Sequence, residues 1–196
     1  MAERLAGGNV ALVLLANALA TGAGLTALIL TLGSVSGAHF NPVVTLSEAF
    51  DGRMSRSLAV AYVLAQTGDA LAGVACAHAM FGLRVYSCSA HIRSGWPQWW
   101  SEFVATAGLL IVIRSCSRSQ PSATPFAVGA CIASAYWFTA STSFANPAVT
   151  LARTLTATFA GIRPADATGF IAAELLGAVA AMLLGRWLFY PAPDIS

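Results

Sequence analysis

Two short segments of this sequence repeat the same order of residue types: Asn41-Pro42-Val43-Val44-Thr45-Leu46 and Asn146-Pro147-Ala148-Val149-Thr150-Leu151. Asn is a favoured helix N-cap, because its side-chain oxygen accepts hydrogen bonds from the unpaired amides of the first turn. Pro suits the first helical position, where its missing N–H would have no partner. Each segment therefore predicts the start of a helix whose positive end carries an Asn amide.

The other side chains that often do chemistry are few and scattered. No nucleophile, base and orienting acid recur at a plausible spacing, and no cluster has the spacing of metal ligands. The histidines are His39, His78 and His91, and the cysteines, which form no CxxC pair, are Cys76, Cys88, Cys116 and Cys131. Most of these cysteines lie in apolar stretches, where a reduced thiol packs like a small hydrophobe. The sequence predicts no catalytic residue, no metal and no cofactor, and therefore no enzyme.

The composition is that of a membrane protein. Hydrophobic residues make up 57% of the chain and charged residues only 9%, whereas soluble domains carry about 25% charged residues. The ten basic residues are all arginine, and the net charge is only +2. This balance gives no nucleic-acid footprint, so the predicted partner of the chain is the lipid bilayer.

Five apolar stretches approach or exceed the roughly 20 residues that cross a bilayer core. They are residues 9–32, 57–81, 99–114, 125–140 and 167–190. The first stretch has a second interpretation as a signal peptide, because Arg4 precedes it and Ala18-Leu19-Ala20 resembles a cleavage site. We favour a spanning helix, since the apolar run continues to Leu32 and is too long for a signal core.

The two Asn-Pro segments begin helices that are too short to cross a bilayer, over residues 41–50 and 146–157. We expect them to enter from opposite faces and to bring Asn41, Asn146 and two positive helix ends together at the midplane. A single segment of this kind would be an ordinary helix cap. Two copies with matching tails predict an inverted repeat.

The predicted fold is a single all-α membrane channel domain with five transmembrane helices and two re-entrant half-helices. The domain covers residues 1–196, with an incomplete first repeat at 9–81 and a complete second repeat at 99–190. The chain resembles the aquaporin, or major intrinsic protein, family, whose two repeats each carry Asn-Pro-Ala.

This resemblance covers nearly the whole chain. It includes Ser36-Gly37-Ala38-His39-Phe40, Ala65-Gln66, Glu102, Thr106 and Gly177, while Val43 stands where the family usually has alanine. Residues 144–153 and 158–164 are similar to the bacterial aquaglyceroporins of arsenic-resistance operons. The resemblance implies a multi-pass channel of the inner (plasma) membrane that assembles as a homotetramer.

The resemblance also implies the pore residues. The pore-binding positions are Asn41, Pro42, Val43, Asn146, Pro147 and Ala148, and the family narrows its pore at positions that fall on Thr21, Ser134, Ser143 and Val149. The family usually has arginine where this chain has Val149, so the resemblance implies a wide, mildly polar opening without that cation. Hydroxyl groups replace part of a solute's hydration shell, and Val149 offers an apolar side. We expect small uncharged solutes: glycerol-like polyols, arsenous acid, methylated arsenicals and water.

Three further residues are expected to support the pore. His39 is expected to line a vestibule and Glu102 to hydrogen-bond buried backbone. Arg153 lies about two helical turns past Asn146, and we expect it to support the end of the second half-helix.

The repeat also predicts a missing element. Glu102 lies on the first helix of the second repeat, and its counterpart in the first repeat would precede Met1. Five helices therefore stand where the family has six, and a homotetramer is expected if the missing helix is restored.

Asp69 aligns with Gly177 at a site of close helix packing, where a carboxylate is costly. The alternative function is therefore a truncated, non-conducting membrane remnant or an accessory subunit.

Overall fold

The computed structural model describes residues 1–189, so the last residue of the predicted span 167–190 lies outside the described part. Within residues 1–189 the chain forms eight α-helices and no strand. They are α1 (Ala2–Leu5), α2 (Val10–Ser36), α3 (Pro42–Phe50), α4 (Arg56–Met80), α5 (Trp96–Ser119), α6 (Thr124–Phe138), α7 (Pro147–Ala152) and α8 (Pro164–Phe189). The predicted all-α membrane fold is confirmed.

Three of the described helices are long and apolar enough to cross a membrane, namely α2, α4 and α8. Helix α5 has 24 residues but carries buried Glu102 and Arg114, which lower its hydropathy. Helix α6 has 15 residues, fewer than the roughly 20 that span a bilayer core. The number of spanning helices, five by the sequence prediction, therefore stays a prediction.

Close helix contacts at glycine hold the bundle together. Helix α2 crosses α6 at Gly22 and Gly129, where an added Cβ on either glycine would overlap the backbone carbonyl of the other. Helix α5 packs along α8, and Gly177 faces the backbone of Phe103 in the same way. Such contacts between small residues let helices approach closely inside a membrane. They fix the frame in which the two short helices lie.

The first half-helix begins as predicted and is held at both ends. Asn41 is the N-cap of α3, which ends at Phe50. Near its end, Arg114 on α5 donates to Ser47 Oγ at 2.8 Å and to Asp51 Oδ1 at 2.8 Å. All three of these side chains are buried or nearly so. A cation on a long helix thus fixes the C-terminal end of α3.

The second half-helix is shorter than the predicted range 146–157. Helix α7 ends at Ala152, and Arg153–Leu155 form a 3₁₀ turn. The hydroxyl of Thr154 donates to the carbonyl of Leu151 at 2.7 Å, an arrangement that competes with continued helix. Thr156 then adopts an extended conformation. The tighter turn at Arg153 redirects this residue relative to an unbroken α-helix.

The outer faces of α2 and α4 are apolar and exposed. Leucines at positions 19, 30, 58 and 64 are all at least 47% exposed, as expected of helices that contact lipid. Asp69 on α4 is also exposed. Gly177, with which Asp69 aligns, is instead packed closely against the backbone of Phe103 on α5.

Candidate functional site

The N-termini of α3 and α7 have the predicted capping geometry. The Oδ1 atom of Asn41 accepts from the Val43 amide at 3.1 Å, and that of Asn146 accepts from the Ala148 amide at 3.1 Å. A proline follows each Asn at the first helical position. Val43 and Ala148 are both buried, so the larger valine of the first motif is accommodated by packing.

The two caps also bind each other's loops. Asn41 Nδ2 donates to the carbonyl of Ala145 at 2.7 Å, and Asn146 Nδ2 donates to the carbonyl of Phe40 at 2.8 Å. Phe40 and Ala145 have positive φ angles of 49° and 47°, which cost non-glycine residues about 1–3 kcal/mol each. The reciprocal bonds hold these carbonyls in place. The two half-helices therefore meet end to end at their N-termini.

Two buried carboxylates hold the loop before α7. Glu102 on α5 accepts from the amides of Phe144 and Ala145 at 2.9 and 2.7 Å. Glu174 on α8 accepts from the Asn146 amide at 3.2 Å and from Thr150 Oγ1 at 2.6 Å. Both glutamates have no solvent exposure. Glu102 thus has the backbone-supporting contacts that the sequence predicted for it.

Near the corresponding loop before α3, the side-chain hydrogen bonds join imidazole, hydroxyl and amide groups. His39 Nδ1 lies 3.0 Å from Thr45 Oγ1, and Gln66 Nε2 donates to the same hydroxyl at 2.9 Å. His39 also lines a cavity, and its place in a vestibule stays a prediction. No group of histidine, cysteine and carboxylate side chains within residues 1–189 has the arrangement of a metal site.

Two cavities open on opposite sides of the paired half-helices. The upper cavity, of about 690 Å³, extends between α2 and α4 to the loop after α7; its lining includes Asn17, Gly73, Phe159, Val149 and Arg153. The lower cavity, of about 500 Å³, extends to the loop before α3; its lining includes Thr21, His39, Asn41, Ser143, Asn146, Val149 and Arg153. Val149 and Arg153 are the two described residues that line both cavities.

The predicted narrowing residues are only partly brought together. Thr21, Ser143 and Val149 line the lower cavity, and Ser143 Oγ is buried without a hydrogen-bond partner among the described residues. Ser134 differs from the prediction, because it is exposed and its hydroxyl donates to the Cys131 carbonyl at 2.9 Å. Tyr136 takes its place, since α6 turns this ring toward the cavity.

Arg153 also differs from its predicted role at the end of the half-helix. Its Nη2 atom donates to the hydroxyl of Tyr136 at 3.1 Å, and its guanidinium carbon lies 4.2 Å from the centre of the Phe144 ring. The Tyr136 hydroxyl lies 3.3 Å from Thr21 Oγ1. The 3₁₀ turn and these partners direct the guanidinium toward the junction of the cavities instead of the last turn of α7.

Arg93 is a structural residue that the sequence did not reveal. It lies in the loop between α4 and α5, is only 4% exposed, and donates to the carbonyls of Ser141, Phe159 and Gly161 at 2.9–3.1 Å. Burial and the nearby charge of Arg153 lower the pKa of Arg93 to about 10, so it stays a cation at neutral pH. A single arginine in a polar loop has no sequence pattern that identifies this role.

Comparisons with known proteins agree with this geometry. The family model described as "Major intrinsic protein" matches residues 3–133. The chain is 53% identical over 185 residues to "Aquaglyceroporin AqpS" of Rhizobium meliloti (strain 1021), covering 94% of this chain and 79% of that protein. It is 39% identical over 105 residues to "Aquaporin NIP1-4" of Oryza sativa subsp. japonica, covering 53% of this chain and 38% of that protein.

Proposed function

Given that the chain belongs to the major intrinsic protein family, whose members are membrane channels for small solutes and not enzymes, we propose which solutes pass and where. The cargo is small, uncharged and hydroxylated: glycerol-like polyols, arsenous acid or methylated arsenicals, together with water. The observation that carries this proposal is the junction of the two cavities, which lies beside the N-termini of the two half-helices. Val149 and Arg153 line both cavities at this junction.

The chemistry of the lower cavity supports a hydroxylated cargo. Ser143 lines this cavity, but its Oγ is buried and has no partner within the described residues, so it meets a solute hydroxyl only after the side chain turns toward the cavity. Thr21 lies on the same cavity. A buried hydroxyl that lacks a partner costs about 1–3 kcal/mol, which favours this turn when a polyol hydroxyl is present to pair with it.

The apolar surface of the junction supports the same cargo. Val149 stands at the position where the family usually has arginine, and its side chain offers contact to a carbon backbone or a methyl group. The wide opening without arginine at this position remains part of the proposal. Tyr136, which takes the predicted place of Ser134, contributes a ring and a hydroxyl to the same cavity.

We also propose the membrane in which the channel lies and its oligomeric assembly. The exposed leucines of α2 and α4 support contact with lipid, and the family supports a multi-pass protein of the inner (plasma) membrane. A homotetramer, completed by a further helix, is the proposed assembly.

Stopped-flow light scattering on proteoliposomes tests the proposed cargo. Glycerol and arsenous acid gradients are applied in parallel to vesicles that contain the 196-residue chain and to empty vesicles. We expect solute-driven re-swelling at least tenfold faster than in empty vesicles. Rates equal to those of empty vesicles would contradict the channel proposal for this chain and favour a non-conducting remnant.

Substitution at the junction tests the proposed path. Val149→Arg places a bulky cation where both cavities meet, and we expect it to reduce glycerol flux to the rate of empty vesicles. The matched control is Val35→Arg, because Val35 is 77% exposed near the end of α2 and lines neither cavity. Equal flux in the two variants would show that solute does not pass Val149.

A further inference from the structure

Arg153 lies one helical turn beyond Val149, at the junction of the two cavities. Like Val149, Arg153 lines both cavities. Thr21 and Ser143 line only the lower cavity. A solute that moves from one cavity to the other therefore passes the Arg153 side chain. This position alone makes Arg153 a candidate for controlling what passes.

The orientation of Arg153 is fixed by partners on two other segments. Tyr136 on α6 accepts from Nη2 at 3.1 Å, and the Phe144 ring lies under the guanidinium at 4.2 Å. A planar guanidinium on an aromatic face is a favourable cation–π arrangement. The group is therefore held across the junction instead of being free to turn into solvent.

The charge of Arg153 is not neutralised by an ion pair. The salt bridges formed within residues 1–189 use other arginines, and the bond to Tyr136 is the only hydrogen bond of the Arg153 guanidinium there. The neighbouring Arg93 adds a second positive charge, with its own donors directed at backbone carbonyls. A guanidinium has five N–H donors, so most of those on Arg153 remain available to a solute.

We propose that Arg153 is the specificity-determining cation of this pore. It repels protons and other cations at the junction, and it donates hydrogen bonds to the oxygen atoms of the passing neutral solute. Val149 carries no charge at the position where the family usually has arginine. Arg153, four residues later and at the C-terminal end of α7, supplies the positive charge instead. This inference rests on the proposed channel function.

Paired flux measurements on Arg153 variants test this role. Arg153→Met removes the charge and keeps an apolar chain, whereas Arg153→Lys keeps the charge. We measure glycerol re-swelling and, in the same vesicles, proton influx driven by a potassium diffusion potential and read with an enclosed pH dye. We expect Arg153→Met to raise proton influx at least tenfold and, because a donor to the solute is lost, to lower glycerol flux about threefold without abolishing it, while Arg153→Lys stays close to the original chain in both.

The controls separate a charge effect from loss of structure. Arg84→Met removes an exposed arginine that lines neither cavity, and we expect no change in either flux. If Arg153→Met fails to yield a monodisperse protein, Arg153→Gln takes its place with the same expectation, because it is neutral but still able to donate to Tyr136.

The outcomes also separate this inference from the function on which it rests. In one outcome, the original chain conducts glycerol and the neutral variants show no increase in proton influx. That result would overturn the role of Arg153 and leave the channel function intact. Equal leak in Arg153→Lys and Arg153→Met would likewise overturn it, because then shape and not charge matters. Absence of glycerol flux in the original chain would contradict the channel proposal itself.

Discussion

The two half-helices begin in the same way but are anchored by different chemistry. Before α7, the carboxylates of Glu102 and Glu174 accept three consecutive backbone amides. Before α3, the corresponding amides of His39 and Phe40 have no acceptor within residues 1–189. Each of these carboxylate bonds satisfies a buried amide that would otherwise cost about 1–3 kcal/mol. Within residues 1–189, side chains of its own repeat hold the second loop, and the position of the first loop depends on bonds to the second.

This dependence runs through the crossed Asn bonds and through Arg114. Asn41 donates to a carbonyl of the second loop, and the second loop is the one that Glu102 fixes. Arg114, which holds the end of α3, lies on the same helix as Glu102. Helix α5 of the second repeat therefore positions both short helices.

The largest expected effect is that of Glu102→Ala. The substitution leaves the amides of Phe144 and Ala145 buried without acceptors, and each such amide costs about 1–3 kcal/mol. We expect the free energy of unfolding to fall by about 4 kcal/mol, measured by denaturant titration of helical circular dichroism in detergent. Glu102→Gln, which keeps one acceptor oxygen, should lose about half as much. Equal stability of Glu102→Ala and the original chain would show that these carboxylate contacts do not hold the loop.

Arg114→Met should have the next largest effect. It removes the partner of Asp51 and Ser47 and leaves a buried carboxylate, whose remaining cation, Arg53, lies 3.9 Å away. Breaking a buried pair costs about 3–5 kcal/mol, and we expect about 2–3 kcal/mol because Arg53 compensates in part. The same titration measures it, and Arg84→Met serves as the exposed control. A loss no larger than that of the control would remove Arg114 from the set of anchors.

Asn41→Ser and Asn146→Ser measure the crossed bonds one at a time. Serine retains the N-cap but lacks the amide donor that reaches the opposite loop, so each variant isolates one crossing bond. We expect losses of about 1.5 kcal/mol each, in agreement with an unpaired buried carbonyl, and equal within about 0.5 kcal/mol. A much larger loss for Asn41→Ser would sharpen the comparison, since the first loop has fewer other anchors.

The smallest expected effect is that of Gln66→Ala. Thr45 keeps its contact with His39 at 3.0 Å, so we expect a loss of about 1 kcal/mol. Glu174→Ala, the equivalent change in the second repeat, frees both the Asn146 amide and Thr150 and should cost at least twice as much. The ratio of the two losses in one titration series measures the asymmetry, and a ratio near one would contradict it.

The features that the sequence predicted well are local ones. The starts of both half-helices follow from Asn-Pro capping, which needs only the residues of the first turn. The apolar lengths of α2, α4 and α8 follow from composition. The end of α7 was predicted too late, because a hydroxyl of Thr154 tightens the turn and this choice depends on neighbouring segments.

The site residues that the sequence misplaced depend on tertiary packing. Whether Ser134 or Tyr136 faces the cavity is decided by the rotation of α6, and the crossing at Gly22 and Gly129 fixes that rotation. Arg153 reaches the junction because Tyr136 and Phe144 are there to receive it. A long side chain with partners on other segments cannot be directed by counting from Asn146.

The crossed Asn bonds also determine the order in which the chain can be completed. They join residues that are 104 and 106 positions apart, and contacts of such separation form late because the intervening loop must first be ordered. During synthesis the first half-helix emerges long before Ala145 and Asn146 exist to receive it. Its N-terminal Asn41 therefore lacks its crossed partner until the second half-helix has been made, and pairing of the two half-helices is a late step of folding.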